Sequence, residues 1–184
     1  FFKKDNKKLG FYLYGDVGVG KTMILNFFFN NINLRKKRFH FNEFMIQFHD
    51  YKHLKKQNSI NYFVNDLREN VDLIYLDEFQ VTNIVDAMIL GKLFDAIFKA
   101  NIKVIITSNI KIDNLYKDGL QREQFLPFIK IIKHNSIEHE LKISEDFRKR
   151  GLNKLKRYFY PLNDVTLFKV NQLFRIYTKY KKKI

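Results

Sequence analysis

The run Gly15-Asp16-Val17-Gly18-Val19-Gly20-Lys21-Thr22 constrains this chain more than any other feature. It satisfies the pattern G-x-x-x-x-G-K-[ST], whose backbone amides wrap a phosphate when a strand precedes the loop and a helix follows it. Both flanks are present. Phe11-Tyr12-Leu13-Tyr14 reads as a buried strand, and Met23 through Phe29 reads as a helix. The helix N-terminus and the loop N–H groups then point at one bound anion. Glycine at the turn positions lets the backbone approach closely, where a Cβ would stand in the way. All eight residues from Gly15 to Thr22 form the expected nucleotide-binding set. In this geometry Lys21 reaches the β- and γ-phosphates, and the Thr22 hydroxyl holds Mg²⁺.

Hydrolysis asks for more than a cradle. Val71-Asp72-Leu73-Ile74-Tyr75-Leu76-Asp77-Glu78 supplies an apolar run suited to a central parallel strand, closed by two acids. Ligands of open α/β sheets bind at strand C-terminal ends. Asp77 is therefore assigned to the metal, and Glu78 to orienting and polarising the attacking water. The competing reading has the two acids merely ending a strand and starting the next helix. A further strand, Val104-Ile105-Ile106-Thr107, runs into Ser108 and Asn109. The Asn109 amide is placed to sense the γ-phosphate or the water, against the alternative of a turn-forming Asn.

Strand and helix signals alternate from Leu9 to about Leu141, which predicts a parallel sheet covered by helices on both sides. The expected strands are Phe11–Tyr14, Arg38–Phe41, Leu73–Leu76, Lys103–Thr107 and Ile137–Leu141. The expected helices run to Asn30, over Glu43–Lys55, from an N-cap at Ser59 to Arg68, and over Val85–Phe98. In the last of these Met88/Ile89, Leu93 and Ala96/Ile97 recur at helical spacing and are expected to pack on the sheet. Pro127 marks a helix start or break. Beyond Pro161, Asp164 is the expected cap of a helix from Val165 to about Thr178. The organisation predicted is a nucleotide-binding α/β domain over 1–160, and the opening of an incomplete helical lid or second subdomain over 161–184. Because the sequence opens on Phe1 rather than Met, a partial or trimmed chain is expected.

Composition sets outer bounds. There is no cysteine, so disulfides and thiolate metal sites are excluded. No apolar window is long enough to span a membrane. The formal charge of +15 invites a nucleic-acid reading, but 26 Lys stand against only eight Arg. Dedicated phosphate recognition favours the bidentate arginine. His49 and His53 share a helix face, yet Asp50-Tyr51-Lys52 between them is not the zinc pattern H-E-x-x-H, so a surface helix is the better reading.

Three longer segments carry a resemblance. They are Arg38-Phe39-His40-Phe41-Asn42-Glu43-Phe44-Met45 with His49 following, the stretch from Asp77-Glu78-Phe79-Gln80 to Gly91, and Leu115-Tyr116-Lys117-Asp118-Gly119-Leu120-Gln121-Arg122 running on to Ile129. With them the chain resembles the ZapE, or AFG-one-like, family of AAA+ ATPases, from Gly10 to Pro161. The resemblance implies an AAA+ three-layer αβα fold on a five-stranded parallel sheet. It also implies ATP as the nucleotide, Mg²⁺ as its metal, and a homo-oligomeric ring with sites between neighbours. A protein client is implied, a tubulin-like division protein if the source is bacterial. The implied location is the cytoplasm, or the mitochondrial matrix in a eukaryote. Asn109 matches the family's sensor, and Arg122 is the first candidate for an arginine finger, followed by Arg148 and Arg150. Such a finger is a permanent cation placed on transition-state phosphoryl oxygens. The sequence departs from the family at Asp16, where Gly is usual, at Val19, where Arg is usual, and at Asn42, where His is common.

The function expected is therefore an Mg-dependent ATP hydrolase that remodels or regulates a protein partner, with no specific nucleic acid. The competing class is a loader-like ATPase that grips single-stranded nucleic acid, favoured by the positive charge and disfavoured by the lack of an Arg- or aromatic-rich binding motif.

Overall fold

The computed structural model describes residues 8–55, 57–142 and 163–177. The chain divides into two compact units, residues 1–143 and 144–184. In the first unit the elements run β1 (Gly10–Tyr14), α1 (Lys21–Asn31), β2 (Lys36–His40), α2 (Phe41–Leu54), α3 (Ser59–Asn70), β3 (Leu73–Asp77), α4 (Ile84–Lys99), β4 (Lys103–Ser108), α5 (Leu126–Asn135) and β5 (Ser136–Glu140). Within the second unit the described element is α6 (Asp164–Tyr177).

The five strands form one sheet in the order β2-β3-β4-β1-β5, and every pairing is parallel. Hydropathy accounts for which strands lie inside and which at the edges. Every residue of β3 and five of the six in β4 are buried, as interior strands covered on both faces must be. The edges β2 (Lys-Lys-Arg-Phe-His) and β5 (Ser-Ile-Glu-His-Glu) are short and charged, which discourages pairing with another chain.

Strand periodicity separates two cores. Ile74 and Leu76 of β3, with Val104 and Ile106 of β4, face a large cluster built with α2, α3, α4 and α5. Their neighbours Leu73, Tyr75 and Ile105 face a small cluster completed by Leu13 and Leu25, with Phe29 packed at its margin. Alternation across the strands thus yields three layers, with α1 on one face and α2 to α5 on the other. The sequence expectation of a three-layer α/β fold on a five-stranded parallel sheet is met.

Local differences from the expected boundaries have identifiable causes. Phe41 begins α2 instead of ending β2, because the Glu43 carboxylate accepts the His40 amide and the Phe41 ring is drawn into the core. Ser59 is the first helical residue of α3 and not its cap; Asn58 before it adopts φ 56°, a left-handed conformation that Asn tolerates. Helix α6 is capped by Asn163, whose Oδ1 accepts the Thr166 amide at 3.0 Å, not by Asp164. On α4 the buried face is Ala87, Leu90, Leu93, Phe94 and Ile97, so Met88 looks outward, contrary to the expected stripe. The helix starts at Ile84, where Asn83 accepts the Asp86 amide at 2.8 Å, and its phase is set by the apolar face that meets the core.

Candidate functional site

The phosphate loop leaves β1 and enters α1 as its pattern requires. Gly20 takes φ 88° and ψ 15° and directly precedes the helix, a backbone state that disfavours any side chain. Gly15 is fixed by space. A Cβ there would lie 2.4 Å from the Leu141 carbonyl oxygen, where the chain leaves β5. Val19 is buried and pins the loop to the body of the unit, whereas Asp16 and Val17 are exposed. The carboxylate that departs from the family pattern therefore sits at the surface.

Lys21 is itself buried, and its ammonium bridges the site. Nζ donates to the Gly15 carbonyl at 2.7 Å, to the Asp16 carbonyl at 2.8 Å and to Asn109 Oδ1 at 2.8 Å. The first two bonds hold the loop closed around the amine. The third joins the loop to the end of β4, so Lys21 and Asn109, 88 positions apart, are in direct contact. Thr22 lies half-buried in the first turn of α1.

Asp77 ends β3 and is almost wholly buried. Its Oδ1 accepts from Thr107 Oγ1, from Tyr75 OH at 3.3 Å and from the Glu78 amide at 3.1 Å. Oδ2 accepts from Arg38 Nη2. Burial by itself raises the pKa of this carboxyl, but the hydrogen bonds from Thr107 and Arg38 outweigh it and hold it below the usual range. Asp77 is an anion at neutral pH. Burial also pushes the Tyr75 phenol up to about 12, which keeps it a donor.

Glu78 is exposed and adopts φ 55°, a strained backbone state for a residue with a β-carbon. The end of β4 holds it there. Thr107 Oγ1 accepts the Glu78 amide at 3.3 Å, the Thr107 carbonyl accepts the Phe79 amide at 2.8 Å, and Ser108 Oγ donates to the Phe79 carbonyl at 2.7 Å. Ser108 Oγ also accepts the Ile110 amide at 3.1 Å, and Tyr12 OH donates to the Ile110 carbonyl at 2.7 Å. The turn carrying Glu78 and the turn carrying Asn109 are thus bonded to one another. They line a cleft of about 520 Å³ together with His40, Asn42 and Gln80. A shallower depression of about 750 Å³ between α3 and α4 contains none of these residues.

An ionised Asp77, a half-buried Thr22 hydroxyl and a loop whose glycines leave no Cβ in the cradle fit a magnesium–triphosphate group. Arg122 lies elsewhere. It starts a short 3₁₀ turn, Arg122–Gln124, and donates from Nη2 to the Asp113 carbonyl at 2.7 Å. Arg148 and Arg150 fall outside the described residues.

Three residues with clear places in this network carry no assigned role in the sequence reading. Arg38 reaches Asp77 from β2, while Thr107 and Ser108 bind the acid turn from β4. An arginine within an otherwise ordinary edge strand is a weak sequence signal. Thr107 was readable only as the polar end of a buried strand. His49, read as a surface residue, is half-buried and hydrogen-bonded from Nε2 to Asp86 Oδ1 at 2.6 Å, tying α2 to α4. Among the described residues no group of three or more His, Asp or Glu side chains could hold a metal ion independently of nucleotide.

Comparison with known proteins places this geometry. The family model described as AFG1-like ATPase matches residues 1–183. Lactation elevated protein 1 homolog B of Danio rerio is 40% identical over 171 residues, covering 85% of this chain and 34% of its own length. Cell division protein ZapE of Escherichia coli K12 is 36% identical over 167 residues, covering 89% of this chain and 44% of its own. The chain therefore spans between a third and a half of the curated relatives it matches. Among solved structures, domain III of the Thermotoga maritima replication initiation protein DnaA aligns with a TM-score of 0.58 at 17% identity, covering 98% of this chain and 82% of that one. The DnaC helicase loader aligns at 0.53 and 17%, covering 74% of this chain and 80% of that one. At such identities these two establish a shared P-loop AAA+ fold alone. No helix among the described residues is long and apolar enough to cross a membrane. With its phosphate loop, its buried strand-end acid and its family match over nearly the whole sequence, this chain belongs to the AFG1-like ATPase family.

Proposed function

We propose that this chain is the nucleotide-binding core of an Mg-dependent ATP hydrolase of the AAA+ class that works on a protein partner. The single observation carrying the reading is the direct bond between Lys21 and Asn109, within a network that also positions Asp77 and Glu78. Thr22 and Asp77 would hold Mg²⁺, which neutralises phosphate oxygens when bound. The chain's own residues do the rest. Lys21 exchanges its carbonyl partners for phosphate oxygens, and Asn109, released from Lys21, reads the γ-phosphate. Glu78, exposed and backbone-locked, orients a water and receives its proton.

Likeness to a cell division protein supports a division role; the protein client, the ring, and Arg122 as the finger acting on a neighbouring subunit rest on the family resemblance. In the full-length protein, Glu78→Gln is expected to bind ATP with near wild-type affinity while turnover falls by about a hundredfold or more. Normal hydrolysis by that variant would remove Glu78 from the role. The trapped ATP-bound form would then retain its client for identification.

A further inference from the structure

Arg38 sits beside the reacting groups without a part in the scheme above. It projects from edge strand β2, where its register partner on β3 is Tyr75. Its guanidinium has three attachments. Nη1 donates to Asn26 Oδ1 at 2.8 Å, Nη2 donates to Asp77 Oδ2, and the group lies 5.1 Å from the centroid of the Tyr75 ring. Asn26 stands four residues after Thr22 on α1, so both occupy the same helix face one turn apart. Arg38 thus spans the two elements, α1 and β3, that carry Thr22 and Asp77.

The donors around Asp77 are divided unequally. Oδ1 receives three of them, from Thr107, Tyr75 and the Glu78 amide, and Oδ2 receives Arg38. A carboxylate offers about four acceptor sites across its two oxygens. Oδ2 is therefore the oxygen with capacity left for a divalent ion or its bound water, and a permanent positive charge already rests against it. The Arg38 side chain is one-third exposed while that of Asp77 is buried, so the cation can shift at little cost and the carboxylate cannot.

We propose that Arg38 is a resident counter-cation that shares Asp77 Oδ2 with Mg²⁺ and weakens the metal's hold. Without metal it pairs with the carboxylate and keeps it aimed. With metal present, like charges compete for one oxygen, so the ion stays exchangeable and leaves when product leaves. This rests on the reading of Asp77 as the metal-side carboxylate.

The test uses the full-length protein. Mg²⁺ is titrated at a fixed concentration of a fluorescent ADP analogue, and the half-saturating metal concentration is read from the gain in nucleotide affinity. Mn²⁺ binding followed by electron paramagnetic resonance gives the same constant with no turnover involved. Arg38→Gln keeps a hydrogen-bonding amide and removes the charge, so half-saturation is expected at about tenfold lower metal, with a smaller shift at high salt. Arg38→Lys retains the charge and is expected to stay within about twofold of wild type. Asn26→Ala frees one arm of the guanidinium and leaves β2 untouched; it is expected to shift half-saturation the same way by a smaller factor, and it decides the matter if Arg38→Gln does not fold. Unchanged or weaker metal binding in Arg38→Gln, or in Asn26→Ala where Arg38→Gln does not fold, overturns the proposal. Asp77→Asn separates the two layers. If it titrates like wild type, the metal-side reading of Asp77 falls; if it loses the Mg²⁺ dependence while Arg38→Gln does not tighten, the Arg38 proposal alone falls.

Discussion

Replacing Thr107 with valine removes one hydroxyl from the centre of the acid turn and leaves the side chain's outline nearly intact. Thr107 is 1% exposed, its Oγ1 donates to Asp77 and accepts the Glu78 amide, and valine can do neither. A hydrogen bond to a buried, ionised acceptor contributes about 1.5–3 kcal/mol, so a loss of about 2 kcal/mol is expected at pH 7. For a unit of this size that corresponds to a fall of about 6 °C in Tm. The pH dependence follows from the direction of the Asp77 shift. Burial raises the carboxyl and the Thr107 hydroxyl is the foremost contact lowering it, with a net folded-state pKa below 3.8. A depressed carboxyl contributes stability that is present above the unfolded pKa and lost as pH falls through the folded one. The valine variant should therefore show its full deficit between about pH 5 and 7, and the deficit should shrink below about pH 4. Urea denaturation of both proteins at pH 7, 5 and 3.5 measures it. A deficit under about 0.5 kcal/mol at pH 7, or one that widens toward pH 3.5, would refute the reasoning.

Three further substitutions probe other parts of the molecule. Gly15→Ala places a methyl group against the Leu141 carbonyl, 2.4 Å away, and should cost about 2–3 kcal/mol in urea unfolding along with nucleotide affinity. His49→Leu removes the bond between α2 and α4 and should cost about 1 kcal/mol; a double-mutant cycle with Asp86→Asn should show coupling, and strict additivity would deny the bond its energy. Arg35→Met should let the Asp72 carboxyl, held at about 2 chiefly by its hydrogen bond to Arg35, return toward 3.8 in an NMR titration. Stability should scarcely change, because the pair is exposed to solvent and screened by salt.

What the sequence revealed follows from which interactions are local. The phosphate loop, the three interior strands and the acids at the end of β3 are readable because composition and spacing alone demand them. Contacts made across the sheet are not. Arg38 meets Asp77 only because β2 lies next to β3, and Thr107 meets Glu78 only because β4 lies on the other side. That order is not written in any local pattern. The misplaced helix starts have a related cause. Asn58, Asn83 and Asn163 each serve as the residue before a helix, while the sequence reading chose Ser59 and Asp164. In a chain this rich in Asn and Asp, adjacent residues compete for the cap, and the winner is set by where the hydrophobic face must point.

The two faces of the sheet also divide the work of holding the site. On the face of α2 to α5, a broad apolar core fixes the backs of β3 and β4 by burial. On the other face α1 buries only Lys21 and Leu25 and leaves Met23, Phe27 and Phe28 exposed. Burial of one leucine contributes about 2 kcal/mol, and the half-buried Phe29 against the Tyr75 ring adds part of another side chain. Polar links add to the attachment: Lys21 to Asn109, Asn26 through Arg38 to Asp77, and Lys36 of β2 to the Phe29, Asn30 and Ile32 carbonyls at the helix's end. The first two end on groups proposed for nucleotide or metal, and the third does not. A ligand that takes over Lys21 and Asp77 would exchange the links at the start and middle of α1, while the Lys36 bonds and the Phe29 contact with Tyr75 still hold its far end.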